Sequence, residues 1–303
     1  MKIVKANGEV EHFSEAKLLR SLKRAGASEA VAQEVLALLQ EDMHHGMPSH
    51  RLQRQAFKHL KHLRKPIASR YDLKRAIGEL GPSGYPFERL MGEVFEQQGY
   101  TVSVGKILRG KCVRHEVDVV GHRNETLLLV ECKYRNAPGY KCDVKVPLYI
   151  RSRFEDIREA KGLTPEKIQG VIATNARFSG DAVDYAACVG LQLIGWDYPR
   201  EGSLRDLLDE LKLYPLTVLT ELSKPQKQAL LNHKLVLCRD ILATPEVLER
   251  LPGRLPAVLI GHCRRSPVNP CALSCRPSEP CVPSAPPSRG ACRSRSRVCS
   301  CAG

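Results

Sequence analysis

Two apolar runs near the middle of the chain carry charge where none is expected. They are His115-Glu116-Val117-Asp118-Val119-Val120 and Leu127-Leu128-Leu129-Val130-Glu131-Cys132-Lys133-Tyr134. Both read as buried strands. An unpaired charge in such a place costs several kcal/mol, about what a buried ion pair needs in compensation, so Asp118, Glu131 and Lys133 require partners. Side chains alternate across a strand, so Glu131 and Lys133 share one face and Cys132 takes the other.

The same reading orders the rest of the chain into four stretches. In residues 1–84, Lys2-Ile3-Val4-Lys5 reads as a strand, Asn7-Gly8 as a turn and Val10-Glu11-His12-Phe13 as the return strand. Ser14 caps a helix with Leu18, Leu19, Leu22 and Ala25 at helical spacing. Helices follow over 28–42, 49–63 and 67–79, and Gly81-Pro82-Ser83-Gly84 reads as a joint. In residues 85–200, Phe87, Leu90, Met91, Val94 and Phe95 mark a helix. Strands are expected over 101–107, 114–120 and 126–134, a helix over 147–160, and a strand at Val171–Thr174. A helix capped by Ser179 and stopped at Gly190 then leads to a last strand over 191–194. This α-β-β-β-α-β-α-β order predicts a mixed sheet flanked by helices. Residues 201–261 read as a small helical module, with helices marked by Leu204, Leu207, Leu208 and Leu211, then over Leu219–Leu231 and Leu235–Leu251. Its segments 219–224 and 238–242 are similar to helix-hairpin-helix modules, without the hairpin glycine. The fold class is therefore α/β: an α-rich N-terminal unit, a central mixed sheet and a C-terminal helical module. Residues 262–303, rich in Cys, Pro, Ser and Arg, show no hydrophobic period and read as a non-native extension or a disordered tail.

Charge changes this picture less than its total suggests. The formal net charge is +14 over 303 residues. Residues 1–84 hold 15 Lys and Arg against nine Asp and Glu, whereas residues 85–200 hold 17 against 15. The central domain is only mildly basic, so binding to DNA requires locally clustered cations. Lys141, Lys145, Arg151, Arg153 and Arg158 are the candidates to line a DNA groove, with ordinary surface charge as the alternative. Five of the 12 cysteines lie scattered before residue 262, as suits reduced thiols. The opening residues lack the apolar stretch of a secretion signal, and no run of about 18 apolar residues occurs. A cytoplasmic chain with no membrane partner is expected.

Two carboxylates and an ammonium at one spot suit metal-assisted hydrolysis of a phosphodiester. Phe87-Glu88-Arg89-Leu90, Gln98-Gly99-Tyr100, Glu116-Val117-Asp118, Glu131-Cys132-Lys133 and Thr174–Ser179 together resemble the PD-(D/E)xK restriction-endonuclease-like family, in its Mrr-type branch, over residues 85–198. The resemblance implies that Asp118 and Glu131 ligate Mg²⁺ or Mn²⁺ and that Lys133 positions the attacking water or offsets transition-state charge. It also implies an outer carboxylate at Glu88. Where many members have Gly-Ile before the aspartate this chain has Glu-Val, which leaves Glu116 as an additional or substitute ligand. A five-residue hairpin loop at 121–125 would bring Glu116, rather than Asp118, next to Glu131; Asp118 is taken first and Glu116 second.

Val4-Lys5, Gly8, Glu11, Phe13, Lys17-Leu18, Ala25 and Ala68-x-Arg70-Tyr71-x-Leu73 resemble the ATP-cone, a nucleotide-sensing domain. That resemblance implies phosphate contacts from Lys5 and Lys17 to ATP or dATP, and Glu11 and Ser14 near the base or ribose. It also raises self-association through the cone. No Gly-x4-Gly-Lys-Ser/Thr segment occurs, so a P-loop ATPase is excluded. The expected function is a nucleotide-regulated, divalent-metal-dependent DNA endonuclease in restriction or repair. The alternative is a non-catalytic ATP- or dATP-sensing DNA-binding regulator.

Overall fold

A computed structural model describes residues 1–251 apart from 6, 7, 137, 138, 245 and 250. The expected turn at Asn7 and the tail over 262–303 thus lie wholly or in part outside the described residues.

The N-terminal unit opens with β1 (Lys2–Val4) and β2 (Val10–His12), paired antiparallel with Ile3 opposite Glu11. Helix α1 (Glu15–Arg24) starts where the Ser14 hydroxyl accepts the Lys17 N–H at 3.3 Å, and α2 (Glu29–Asp42) is capped in the same way by Ser28. A short strand that the sequence pattern did not announce, β3 (Met47–Pro48), runs parallel to β1 and gives the sheet order β2-β1-β3. Helices α3 (Ser49–Leu63) and α4 (Lys65–Tyr71) complete the unit. Their apolar faces enclose Leu22, Val35, Leu39, Met47, Ala56 and Leu60, each nearly inaccessible to water.

The single helix expected over 67–79 is two. Helix α4 ends at Tyr71, and α5 (Leu73–Gly78) begins after Asp72. Ala68 packs in the N-terminal core, whereas Leu73, Ala76 and Ile77 join a second core. The break turns the chain from one apolar interior to the other.

The second core is built on α6 (Tyr85–Gln97) and a five-stranded sheet. Its strands are β4 (Thr101–Arg109), β5 (Arg114–Arg123), β6 (Thr126–Lys133), β8 (Ile168–Thr174) and β10 (Gln192–Ile194), in spatial order β10-β8-β6-β5-β4. The β4-β5 and β5-β6 pairs are antiparallel, and the β6-β8 and β8-β10 pairs are parallel. A separate two-stranded ribbon pairs β7 (Lys141–Cys142) with β9 (Arg177–Phe178). The period-2 pattern of β6 is used in full. Leu128 and Val130 pack on α6, while Leu127 and Leu129 pack on the far face with α7 (Lys145–Ala160) and α8 (Gly180–Val189). Gly190 ends α8 in the left-handed conformation, φ 73°, which glycine adopts without strain.

The expected loop at 121–125 is replaced by a tighter turn. Strand β5 continues to Arg123, which pairs with Thr126, so only Asn124 and Glu125 connect the strands. Asn124 takes φ 53°, a conformation asparagine tolerates better than most side chains.

The C-terminal stretch holds α9 (Leu204–Glu210), α10 (Lys224–Asn232), α11 (Cys238–Ala243) and α12 (Glu246–Glu249). The continuous helix expected over 235–251 is thus broken in two. The leucines of this stretch do not form a core of their own. Leu204, Leu208, Leu216, Leu230 and Leu237 belong to one cluster with α5 and α6. The Thr217 hydroxyl donates to the Ala76 carbonyl at 2.6 Å, and Arg239 pairs with Glu93 on α6. Among the described residues no helix is long and apolar enough to cross a membrane.

Candidate functional site

The ladder between β5 and β6 ends at Val119 opposite Val130. Continued by one step, that register sets Asp118 beside Glu131, and the hydrogen bonding agrees. The Asp118 Oδ2 accepts the Cys132 N–H at 2.7 Å, where a strand partner's carbonyl would otherwise stand. The two-residue turn therefore decides between the two candidate acids: Asp118 lies next to Glu131. Glu116 is exposed on the strand, and its backbone carbonyl accepts from Arg153.

Glu131 is 4% exposed, and both its oxygens are engaged. Oε1 accepts from Lys133, its neighbour on the same strand face, and Oε2 accepts from Arg153 of α7 at 2.8 Å. Arg153 also donates to the Glu116 carbonyl and lies over the Tyr149 ring, 5.4 Å from its centroid. The strand end that carries Lys133 is held from two directions. Thr174 Oγ1 donates to the Lys133 carbonyl at 2.6 Å, and the Tyr134 hydroxyl donates to the Gly78 carbonyl at 2.7 Å.

Glu88 approaches from the first turn of α6 and makes no hydrogen bond or ion pair among the described residues. Burial, and then the charges of Asp118, Glu116 and Glu131, push its carboxyl up to about 7. Burial and then Glu131 push Asp118 up to about 6, opposed by the Cys132 N–H, Lys133 and Arg153. Raised carboxyl groups mark a place where negative charge exceeds what the cations offset, a common condition of functional sites. Hard oxygen donors of this kind suit Mg²⁺ or Mn²⁺. Asp118 fits that task, since its Oδ1 accepts no hydrogen bond among the described residues. Glu131 fits it once Arg153 releases Oε2. As the side chains stand, the described residues form no group of three His, Cys, Asp or Glu able to hold a metal ion.

Sequence reasoning grouped Arg153 with possible groove cations. Of these, Arg151 and Arg158 both pair with Glu155, and Arg153 is drawn into the acidic cluster. Lys141 and Lys145 remain exposed and make no ion pair among the described residues. The signal for Arg153 was present only as spacing: residues 150, 154 and 157 face the sheet core, and 153 borders that face.

A second constellation forms at the N-terminal hairpin. The Glu11 carboxylate lies between two ammonium groups, 3.0 Å from Lys5 and 3.5 Å from Lys17. Lys5 first, and Lys17 behind it, hold Glu11 below the usual carboxylate range. Ser14 spends its hydroxyl on the Lys17 N–H as a helix cap. The four candidate residues are thus neighbours, and Glu11, Ser14 and Lys17 line a cleft of about 540 Å³.

Comparison with known proteins divides the chain in the same order. The family model of the ATP cone domain matches residues 1–77, that of a restriction endonuclease domain matches 81–198, and that of the AF1548-like C-terminal region matches 214–252. An uncharacterised protein of Archaeoglobus fulgidus is 37% identical over 156 residues, which are 52% of this chain and 86% of that protein. The solved structure of AF1548, a protein of unknown function, is 31% identical with a TM-score of 0.50, covering 60% of this chain and 97% of that one. A repair endonuclease from Pyrococcus abyssi is similar at 20% identity and a TM-score of 0.30, over 37% of this chain and 46% of that one.

Proposed function

We infer, for a chain that belongs to the family of the Archaeoglobus fulgidus protein and joins an ATP cone domain to a restriction endonuclease domain, that its central site hydrolyses DNA phosphodiesters with a divalent metal and that nucleotide bound at the cone regulates it. The observation that carries the reading is the meeting of Asp118 with Glu131 and Lys133 where β5 and β6 part. Asp118 and Glu131 would hold Mg²⁺ or Mn²⁺, which supplies charge stabilisation and a more acidic bound water. Lys133, on the same face as Glu131, offsets negative charge as it develops on the phosphoryl oxygens. Glu88 adds an outer carboxylate that exchanges a proton near neutral pH. Exposed Lys141 and Lys145 offer contacts to the DNA backbone. Lys5 and Lys17 serve the phosphates of ATP or dATP, with Glu11 and Ser14 toward the base or ribose. Restriction of foreign DNA or repair are the settings that such an activity suits.

One feature favours the rival reading, a non-catalytic ATP- or dATP-sensing DNA-binding regulator. Lys133 and Arg153 together neutralise Glu131 without any metal. The two readings part in a cleavage assay on varied DNA substrates with Mg²⁺ or Mn²⁺, with and without ATP and dATP. The endonuclease reading expects metal-dependent nicking or cutting that Lys133→Ala abolishes. A Lys133→Ala protein as active as the parent, or a parent that binds DNA but no divalent ion by calorimetry, overturns it.

A further inference from the structure

The cleft beside Glu11 and Lys17 is lined from the cone and from beyond it. Lys17, Arg20 and Arg24 of α1 line it together with Arg177 of β9 and Arg205 of α9. Counted in full, seven Lys and Arg line the cleft against three carboxylates, Glu11, Asp197 and Asp209. Those three are already engaged. Glu11 holds Lys5 and Lys17, Asp197 lies 3.1 Å from Arg205 and 3.8 Å from Arg177, and Asp209 accepts the Tyr214 hydroxyl at 3.3 Å. Arg20, Arg24 and Lys74 have no carboxylate within 4.0 Å among the described residues. Lys74, its ammonium 5.5 Å from the Trp196 ring centroid, is held below its ordinary range by desolvation and by Arg177 and Arg205, with Asp197 opposing. Arg70 lines the same cleft with a buried Nε that has no hydrogen-bond partner among the described residues. Cations gathered in excess of their counter-charge repel, and a polyanion among them removes that repulsion.

The nuclease-domain wall is also tied to the catalytic strand. Arg177 follows Thr174 and Asn175, which clamp the chain leaving β6. Thr174 donates to the Lys133 carbonyl, and Asn175 both accepts from the Arg135 N–H at 2.8 Å and donates to the Arg135 carbonyl at 2.6 Å. The Trp196 N–H donates to the Ala176 carbonyl at 3.1 Å, which anchors the same loop to the floor of the cleft.

We propose that this cleft is a composite nucleoside-triphosphate site, in which Arg177 of the nuclease domain and Arg205 of α9 share the phosphates with Lys17, Arg20 and Arg24 of the cone. Bound nucleotide then clamps the two domains together, and the loop 174–177 carries its presence to Lys133. The proposal rests on the nucleotide reading of the cone and adds that the cone alone is an incomplete site.

Trp196 is the single tryptophan of the chain and lines the cleft, so its emission reports occupancy. The experiment titrates the full chain with ATP, dATP and inorganic triphosphate, following Trp196 emission and heat in parallel. A saturable emission change with ATP or dATP is expected. Arg177→Ala and Arg205→Ala should each weaken binding about tenfold, as for a lost charge-assisted hydrogen bond. Arg177 is 67% exposed, so Arg177→Glu should fold as the parent does and weaken binding further. Nucleotide bound with parent affinity by Arg177→Glu, or heat without an emission change, overturns the composite site and leaves the cone reading standing. Inorganic triphosphate bound as tightly as ATP and dATP replaces nucleotide recognition with polyphosphate recognition and overturns the nucleoside part. No binding of any of the three overturns both readings.

Discussion

The nuclease centre and the interdomain cleft are built on opposite imbalances. In the centre, carboxylates outnumber the cations able to reach them, and burial pushes Asp118 and Glu88 up to about 6 and about 7. In the cleft, cations outnumber carboxylates, and Lys74 is held below its usual range. Each region keeps like charges close in a partly desolvated place, which is unfavourable until a ligand of the other sign arrives. A metal cation would relieve the imbalance in the centre, and a phosphate anion that in the cleft. The centre differs in one respect: it holds an internal substitute, Arg153, whereas Arg20 and Arg24 have none.

The largest effect is expected at Lys133. Lys133→Ala should lower metal-dependent cleavage by about a hundredfold or more while the fold persists, as for loss of a group aimed at developing charge; single-turnover cleavage rates check it. Glu131→Gln should destabilise the protein by about 3 kcal/mol, because Lys133 and Arg153 lose their shared partner. Denaturant titration reads that loss, and an unchanged midpoint would mean that the double ion pair does little.

The pH profile sharpens the contrast. If Asp118 holds the metal it must be ionised, so cleavage should rise with pH through about 6 and fall away below it. Stability of the metal-free protein should run the other way. A carboxyl whose folded value lies above its unfolded one favours folding at low pH, and that advantage is lost as pH rises from about 4 through about 6. Asp118→Asn should flatten this slope in melting curves taken between those limits; a slope that survives the substitution assigns it to other groups.

Two smaller effects test the substitute and its absence. Arg153→Ala frees Glu131 Oε2 and should tighten Mn²⁺ binding several-fold by calorimetry. Weaker binding would instead place Arg153 among the groups that position Glu131. Lys74→Met keeps the apolar stem and removes one of the crowded cations. It should change stability by less than about 0.5 kcal/mol and weaken nucleotide binding a few-fold; a large loss of stability would make Lys74 a structural cation.

By itself the sequence determined what local periodicity and capping chemistry can determine. Leu127 to Val130 alternate between two apolar faces because a strand does so wherever it lies. Ser14, Ser28 and Ser179 start helices because a hydroxyl satisfies free N–H groups of the first turn. Glu131 and Lys133 share a face by the same alternation. Only the tertiary structure decided which acid stands beside them, since one residue of hairpin register exchanges Asp118 for its neighbours, and the strands ran to Arg123 where the pattern suggested a longer loop. It alone brought Arg153 across 22 residues onto Glu131, split the helix over 67–79 between two cores, and set Arg177 and Arg205 in one cleft with Lys17. These are contacts between segments distant in the chain. Their energies depend on burial and on neighbours that no short window of sequence contains.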